Sequence, residues 1–560
     1  MPRLLIVGLD SVTFRVLKPL AEAGHLPAFQ SIFENGAHGV LLSTVPSVTP
    51  PGWVTSFTGV DPGKHNVFDF KDHMTYLEGE MKYELASTTS RTVRAEPFWT
   101  ILNREGITVG MVNAPMTYPL EAMDGYAIAG FPCPAEGEGL FQPADLEEEI
   151  GREVPDYNFY GLPDHIEKGR PDLYLKRTNT VTQDRAKAFL HLMETRPTDV
   201  AMIVFTEVDR IQHYLWNCWD PEHPTHTPEK ERYKDAFMQH YQVIDRNLGA
   251  MMEKVGPDVP VVIYSDHGAN AFSRKLHLNT FLVEKGFIVI KGKGSGNVSA
   301  DGKQVKAKLL DRRKLQRLFH RLGLDGQVHW IPKRLRTALP VISFETVDWA
   351  RTKAFFSSEG AQAVTINLKG RQPEGSVLPG QGYDAAVEEV IVALQTLVDP
   401  KTGFSPIATI HRRDDLYEGP FVENAPDLVI VPAEGYMLLK EFGDETFTDV
   451  TGAWNDRSGE HEREGVLLIK GPGVRAGQSL GEHHLRDIAP TLLHLCGHSV
   501  PRYMDGRVVE DAFEEGWLTD HPVKLVGDEK FSPTGPSTSR MSPEEERILK
   551  ERLKGLGYMG

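Results

Sequence analysis

Short apolar runs that alternate with longer stretches of helical periodicity restrict the fold of this chain more than any other feature. The runs are bounded by polar or turn residues, as buried strands are. Ahead of one run, Tyr241, Ile244, Leu248 and Met251 recur at the spacing of a single helical face. The alternation predicts an α/β fold with a mostly parallel central sheet and helices on both faces. The predicted strands cover residues 3–10, 107–115, 199–209, 259–268, 363–368, 427–432 and 465–471.

The composition is that of a globular protein, with 40% hydrophobic and 25% charged residues in a chain of 560. The net charge of −17 argues against non-specific binding of nucleic acid by the whole surface. The three cysteines lie far apart, which excludes a disulfide framework and a CxxC zinc site. The opening residues, MPRLLIVGLD, do not resemble a signal peptide, and no apolar run approaches the roughly 18 residues that span a membrane. We therefore expect a cytoplasmic protein.

Positive charge is concentrated in residues 291–338, where Lys and Arg far outnumber the acids. We predict that residues 291–345 form a basic, partly helical insertion that caps a core built from residues 1–290 and 346–520. Residues 521–560 are predicted to form a linker and a C-terminal helix. The insertion could be a solvated cap, a lid over an anionic substrate, or a contact with an anionic membrane surface. We favour the lid, because the remainder of the chain is acidic and would repel an anion.

Acidic residues end three of the predicted strands, at Asp10, Asp209 and Asp266. Ligands of open α/β sheets bind beyond the carboxyl ends of the strands. His213 follows Asp209 by four residues, and His267 follows Asp266 directly. Taken singly, each residue could cap a helix, form a turn or lie buried as a structural histidine. Together they place carboxylates and imidazoles at one edge of the sheet.

A hydroxyl and a further histidine could complete such a cluster. Thr49 stands before Pro50 and Pro51 in the stretch VPSVTPPGWVTSFTG, which favours a helix that begins there. Thr49 could be its N-cap, or a nucleophile held where a helix N-terminus favours phosphate. His461 precedes another predicted strand and could equally be a surface histidine. Three Asp, three His and one hydroxyl are the donors that two adjacent metal ions require, and carboxylate with imidazole suits zinc, manganese or iron.

In this order along the chain, the motifs resemble the type I phosphodiesterase/nucleotide pyrophosphatase branch of the alkaline phosphatase superfamily. The stretch VPSVTPPGWVTSFTGVDPGKHNVFDF is similar to the nucleophile block of that branch, and TEVDRIQH, SDHG and GEHEREGVLLIKGPGV are similar to its metal-ligand blocks. The closing stretch DIAPTLLHLCGHSVPRYMDGR resembles a segment shared with sulfatases. The resemblance reaches from the N-terminus to about residue 510 and implies an alkaline phosphatase-like fold, with residues 291–345 inserted.

The resemblance implies a hydrolase of phosphodiester or related phosphoryl bonds that acts on a small anionic substrate. Asp209, His213 and His461 would hold one divalent ion. The second would be held by Asp10, Asp266, His267 and the Thr49 oxygen. Thr49 would attack phosphorus and form a phospho-threonine intermediate. Zinc is the expected metal, with manganese or iron as alternatives, and specific nucleic-acid binding is not expected.

The sequence differs from members of that branch at two positions, and these differences leave the class of substrate open. Pro50 follows the nucleophile position, where nucleotide-cleaving members have an aromatic residue, and Phe70 lies near the place of a phosphate-binding Asn. Lys71 or Asn66 could substitute for that Asn. A phosphomonoesterase, a phosphonate hydrolase, or a non-catalytic relative that binds an anion or a membrane surface through residues 291–338 are the alternatives. His484 is the reserve ligand should His461 not serve, and the oligomeric state stays open.

Overall fold

The computed structural model describes residues 2–76, 83, 85–159, 169–291, 342–534 and 543–555. Almost all of the predicted basic insertion at 291–345 lies outside these ranges, and with it every expectation about a lid or a membrane contact. The described residues form a large central sheet, two four-stranded sheets and two strand pairs.

The strands follow the apolar runs of the sequence, because residues buried on both faces of a sheet have few polar alternatives. In chain order they are β1 (Leu4–Leu9), β2 (Ala37–Leu42), β3 (Lys71–Tyr76), β4 (Leu85–Ser87), β5 (Val109–Ala114), β6 (Gly125–Ala129), β7 (Phe141–Gln142), β8 (Val200–Phe205), β9 (Val261–Tyr264), β10 (Gly268–His277), β11 (Ala354–Ser358), β12 (Ala363–Ile366), β13 (Ile407–Arg412), β14 (Leu428–Pro432), β15 (Gly435–Leu439), β16 (Phe447–Asp449), β17 (Gly459–Glu462), β18 (Glu464–Lys470), β19 (Gln478–Ser479), β20 (His483–His484), β21 (Val500–Pro501) and β22 (Leu525–Val526).

The helices separate these strands. They are α1 (Phe14–Glu22), α2 (Pro27–Asn35), α3 (Thr49–Thr58), α4 (Pro62–His65), α5 (Phe98–Arg104), α6 (Leu146–Glu153), α7 (Pro171–Thr195), α8 (Glu207–Trp219), α9 (Pro228–Glu231), α10 (Lys234–Val255), α11 (Leu278–Glu284), α12 (Gln381–Gln395), α13 (Arg413–Leu416), α14 (Ile488–Leu495), α15 (Glu515–Asp520) and α16 (Pro543–Gly555). Within the described ranges, none of them is long and apolar enough to cross a membrane.

The central sheet has the strand order β19-β2-β18-β9-β1-β8-β5-β6-β7, with β20 also paired to β2. β1 lies in the middle and runs parallel to both β8 and β9. β5 and β6 continue the parallel arrangement on one side, whereas β18 is antiparallel to its neighbours β9 and β2. The prediction of a mostly parallel α/β sheet is therefore confirmed.

Helices cover both faces of this sheet, as predicted. Alternate residues of β1 enter two separate apolar cores: Leu5, Val7 and Leu9 pack in one, Leu4 and Ile6 in the other. The first core also takes the buried faces of α1, α2, α7, α8 and α10, and the second takes those of α3, α5 and α14. Burial on both faces holds the strand ends at fixed positions, which is what a site at the sheet edge requires.

A second sheet, with strand order β11-β12-β14-β13, is antiparallel throughout. The runs at 363–368 and 427–432 fall here as β12 and β14, so they are strands but not strands of the central sheet. This sheet packs with α11 and α12 around its own apolar cluster. The other four-stranded sheet has the order β15-β10-β16, with β17 also paired to β10. A bidentate ion pair from Arg274 of β10 to Asp399, which follows α12, joins it to this second sheet at 2.7 Å for each contact.

The C-terminal helix α16 docks on the rest of the molecule. Leu549 is fully buried in the first core, and the carboxylate of Glu546 accepts hydrogen bonds from the backbone N–H and the hydroxyl of Ser87 at 2.8 and 2.9 Å. The predicted C-terminal helix is therefore present and packs on the core.

A fully buried ion pair fixes the start of α8. Arg185 of α7 bonds to the carboxylate of Glu207, and neither side chain is exposed. The same guanidinium donates to the Thr206 hydroxyl at 2.9 Å and to the Phe159 carbonyl at 2.7 Å. Because Glu207 lies in the first turn of α8, this network sets the position of the residues that follow it.

We expect Arg185→Met to lower the free energy of unfolding by about 3–5 kcal/mol, because it leaves the Glu207 carboxylate buried without its partner. The double variant Arg185→Met with Glu207→Gln should recover part of the loss. Urea denaturation followed by circular dichroism measures both. Arg104→Met removes an exposed partner of Glu96 and should cost less than about 1 kcal/mol. Equal losses of unfolding free energy in the Arg185 and Arg104 variants would contradict a special role for the buried Arg185–Glu207 pair.

Candidate metal centre

All seven side chains predicted to hold metal lie at the carboxyl edge of the central sheet. They are Asp10 after β1, Thr49 at the start of α3, Asp209 and His213 in α8, Asp266 and His267 after β9, and His461 in β17. Two local predictions need correction. Asp209 stands in the first turn of a helix rather than at a strand end, and Thr49 is the first helical residue, with Val48 as the N-cap.

The first group of donors contains Asp209, His213 and His461. Nε2 of His461 lies 3.1 Å from Oδ1 of Asp209 and 3.1 Å from Nε2 of His213. Nε2 of His213 lies 3.3 Å from the same Asp209 oxygen. The spacing of Asp209 and His213 by four residues brings both to one face of α8, as the sequence predicted.

The second group contains Asp10, Thr49, Asp266 and His267. Nε2 of His267 lies 3.3 Å from Oδ2 of Asp266, 3.4 Å from the Thr49 hydroxyl and 3.6 Å from Oδ1 of Asp10. Asp10, Thr49, Asp266 and His267 are each at most 1% exposed. A threonine hydroxyl thus lies beside two carboxylates and an imidazole, among side chains that are almost entirely buried.

The two groups are neighbours and form a single centre. The rings of His267 and His461 are 4.0 Å apart between centroids. Donor atoms of Asp209, His267 and His461 lie within 4.8 Å of one another, so Asp209 stands between the groups. Both groups are therefore close enough to act on one ligand.

Each histidine of the centre is held by the nitrogen that faces away from it. Nδ1 of His213 lies 2.9 Å from the Gly459 carbonyl, Nδ1 of His267 lies 3.0 Å from the Gly268 carbonyl, and Nδ1 of His461 lies 3.0 Å from the Ser47 carbonyl. A carbonyl can only accept, so Nδ1 carries the proton in each case. This arrangement directs Nε2 into the centre and is typical of metal-ligating histidines.

Two of the carboxylates also have oxygens that are suited to bind a cation. Oδ1 of Asp10 and Oδ2 of Asp266 are buried and have no hydrogen-bond partner among the described residues. Burying such oxygens unpaired costs free energy, which a bound cation would offset. Buried carboxylate oxygens, inward-facing imidazoles and a hydroxyl together suit a divalent metal of the zinc, manganese or iron type.

Burial and mutual repulsion shift the protonation of these groups. Burial, followed by the charges of Asp266 and Asp209, raises the pKa of Asp10 well above its usual value. Burial likewise raises the pKa of Asp266. Burial would raise the pKa of Asp209 too, but His213 and His461 outweigh it and hold that pKa well below its usual value. Protons and metal ions therefore compete for the same oxygens.

The position of Thr49 depends on close packing around α3. The ring of Trp53, one turn along the helix, lies against Gly8 of β1, where an added Cβ would come within 2.5 Å of the ring. Gly52 faces Asp266, and its Cβ would lie 3.3 Å from that of the aspartate. Both glycines thus allow the helix to approach the strand ends and carry the Thr49 hydroxyl into the centre.

Two residues beside the centre were missed by sequence reasoning. Glu460 has a carboxylate oxygen within 4.8 Å of donor atoms of His213 and His461, so it could join the first group. Arg210 is 6% exposed, and its charge lowers the pKa of Asp10. Glu460 is in the stretch GEHE, and Arg210 follows Asp209 directly. Successive side chains point to opposite faces of a strand and in different directions around a helix, so adjacency to a ligand alone did not identify either residue.

The other predicted residues lie outside the two groups. Asn66 adopts a left-handed conformation with φ of 67° after α4, its amide donates to the Thr92 carbonyl, and its side-chain oxygen accepts from Asn424. Lys71 begins β3, opposite Ser87 of β4. His484, the reserve ligand, lines a separate cavity instead. A substrate contact by Asn66 or Lys71 stays a prediction.

Comparison with known proteins identifies the family. The profile described as type I phosphodiesterase / nucleotide pyrophosphatase matches residues 4–463. No curated protein matches the sequence. Solved structures with a similar fold include human ectonucleotide pyrophosphatase/phosphodiesterase 5, with 15% identity over 93% of this chain and 99% of that one and a TM-score of 0.47. An inactive murine form of that protein in complex with AMP has 14% identity over 92% and 100% of the two chains and a TM-score of 0.49.

Phosphonoacetate hydrolase from Sinorhizobium meliloti in complex with phosphonoformate has 15% identity, coverage of 87% of this chain and 94% of that one, and a TM-score of 0.46. The family profile spans most of the chain, including all seven predicted ligands. The chain belongs to the type I phosphodiesterase/nucleotide pyrophosphatase family, a family of phosphoric ester hydrolases.

Proposed function

We propose that this protein is a metal-dependent hydrolase of phosphodiester or related phosphoryl bonds, with Thr49 as its nucleophile. The observation that carries the proposal is the position of the Thr49 hydroxyl, 3.4 Å from Nε2 of His267 inside a buried cluster of carboxylates and imidazoles. A purely structural role explains this threonine poorly, because burying a hydroxyl costs free energy that a threonine at the surface would not incur.

The two groups of donors would hold two divalent ions, with zinc proposed as the metal. Asp209, His213 and His461 would hold one; Asp10, Asp266, His267 and the Thr49 oxygen would hold the other. When bound, such ions lower the pKa of a coordinated hydroxyl and neutralise charge on a transferring phosphoryl group. The unpartnered oxygens of Asp10 and Asp266 and the inward Nε2 atoms support this assignment.

The chain itself supplies the nucleophile and its surroundings. The Thr49 oxygen forms a bond to phosphorus as the bond to the leaving alcohol breaks, and the alcohol departs with a proton. Water then cleaves the bond between phosphorus and the Thr49 oxygen, which releases the phosphoryl product and restores the hydroxyl. Burial of Thr49 keeps other water away from the intermediate, and the N-terminus of α3 favours the negative charge of the bound group.

A phosphomonoesterase and a phosphonate hydrolase could use the same nucleophile. Turnover of bis-p-nitrophenyl phosphate, p-nitrophenyl phosphate and a phosphonate separates these alternatives, and we propose that the diester is the best substrate. A non-catalytic relative is disfavoured, because such a protein would have no need of two buried carboxylates, Asp10 and Asp266, that are costly to keep together.

Thr49→Ala should lower kcat for bis-p-nitrophenyl phosphate by about a thousandfold or more, because it removes the atom that attacks phosphorus. Bound metal should stay near the wild-type amount, since the other six donors remain. Steady-state kinetics and elemental analysis measure the two effects. Thr58→Ala, in the last turn of the same helix, is the matched control and should retain turnover. Full activity in the Thr49 variant would remove it from the mechanism.

Metal affinity should fall as the pH is lowered from 8 to 6. The raised pKa values of Asp10 and Asp266 mean that these carboxyls take up protons at a higher pH than ordinary ones, so protons displace metal sooner. Binding should therefore release protons. Calorimetric titration of metal-depleted protein with Zn²⁺, in two buffers of different ionisation enthalpy, measures affinity and proton release together. An affinity that does not change over this range would contradict the expected competition.

A further inference from the structure

A cavity of about 170 Å³ lies outside the metal centre, and none of the seven predicted metal ligands lines it. It is bordered by the chain that follows β2, by the start of α4 and by the turn after β20. Charged and hydroxyl side chains line it together with Leu416 and Tyr417. The polar residues that line it include Ser43, Asp61, Arg463, His484 and Arg486.

Positive charge exceeds negative charge around this cavity. Arg486 pairs with Asp61 at 2.8 Å. Arg463 donates from Nε to the Ser43 carbonyl at 3.2 Å, but no carboxylate of the described residues lies within ion-pair distance of it. Arg463 is itself exposed, so its guanidinium is accessible to a ligand from solution. The lining thus contains two guanidinium groups and one carboxylate, and that carboxylate pairs with Arg486.

The nearby acids do not correct this imbalance. The carboxylate of Asp487 accepts hydrogen bonds from the backbone N–H groups of His484 and Arg507, both at 2.9 Å. Glu482 is exposed to solvent and does not line the cavity. His484 lies close enough to Arg463 and Arg486 for both charges to lower its pKa, after the effect of burial. A ligand of negative charge is what would balance the group.

A buried hydroxyl gives independent support. Ser43 is 3% exposed, lines the cavity, and its Oγ has no hydrogen-bond partner among the described residues. Its backbone is fixed, because its N–H donates to the Arg463 carbonyl at 2.9 Å. An unsatisfied buried hydroxyl carries a cost that an acceptor in the cavity would remove.

We propose that this cavity is an oxyanion-binding subsite, in which Arg463, Arg486 and the Ser43 hydroxyl bind a phosphate or phosphoryl group. Guanidinium groups suit tetrahedral oxyanions, because their N–H groups can donate in pairs. The cavity, at about 170 Å³, is large enough for such a group, and Tyr417 is among its lining residues.

The same two segments of the chain contribute residues to the subsite and to the metal centre. Arg463 follows His461 by two residues, and the segment that runs from Ser43 to Val48 contacts both, through the carbonyls of Ser43 and Ser47. The anion could therefore be a second charged group of the substrate or free inorganic phosphate. The first source rests on the proposed function, whereas binding of phosphate itself does not.

Calorimetric titration of the metal-loaded protein with inorganic phosphate tests the subsite. Arg463→Gln should lose one binding event or weaken it by about tenfold or more, while the inhibition constant of phosphate against bis-p-nitrophenyl phosphate changes by less than about twofold. The matched control is Arg351→Gln, which replaces an exposed arginine that does not line the cavity and should bind phosphate as the wild type does. Ser43→Ala, a smaller change, should weaken the same event several-fold. Phosphate binding by Arg463→Gln equal to that of the control would overturn the proposal.

A second measurement distinguishes the two sources of the anion. If the group belongs to the substrate, Arg463→Gln raises KM for a p-nitrophenyl phosphodiester whose alcohol carries a further phosphate and leaves KM for bis-p-nitrophenyl phosphate unchanged. If the anion is free phosphate, both KM values stay as in wild type and only the titration changes. Because the titration needs no turnover, a protein that failed to hydrolyse any ester could still show the subsite.

Discussion

Repulsion among three buried carboxylates is the constraint on which the rest of the structure depends. Asp10, Asp209 and Asp266 follow three adjacent strands of the central sheet, and burial acts against the charged form of each. The chain holds them together because β1, β8 and β9 are packed on both faces and cannot move apart without exposing two apolar cores. The stability of the sheet is thereby used to maintain a local arrangement that is unfavourable without a cation.

The same logic explains the residues around the carboxylates. The Nδ1 atoms of His213, His267 and His461 are engaged by backbone carbonyls, so the orientation of each ring is set before any ligand binds. Gly8 and Gly52 let α3 approach until the Thr49 hydroxyl reaches the cluster. Preorganisation of this kind lowers the cost of arranging donors at the moment of binding.

The sequence was sufficient to predict the central sheet and to place Asp10 and Asp266 at its edge, because buried strands and the acids that follow them are recognisable in the sequence. Thr49, His213 and His461 were grouped with them by their donor chemistry and by the family resemblance. The sequence could not assign 363–368 and 427–432 to the second sheet, since a short apolar run does not indicate its partner strand. Asp209 was placed at a strand end because no turn residue separates β8 from α8. Glu460 was missed because its contact with His213 comes from tertiary packing.

The central claim is that side chains distant in sequence bind two cations side by side. A crystal structure of the purified protein with anomalous data collected at the absorption edge of its metal tests this most directly. The account predicts two anomalous peaks, one contacted by Asp209, His213 and His461 and the other by Asp10, Asp266, His267 and the Thr49 oxygen. A map with no peak at these side chains, in protein loaded with Zn²⁺, Mn²⁺ or Fe²⁺, would contradict it.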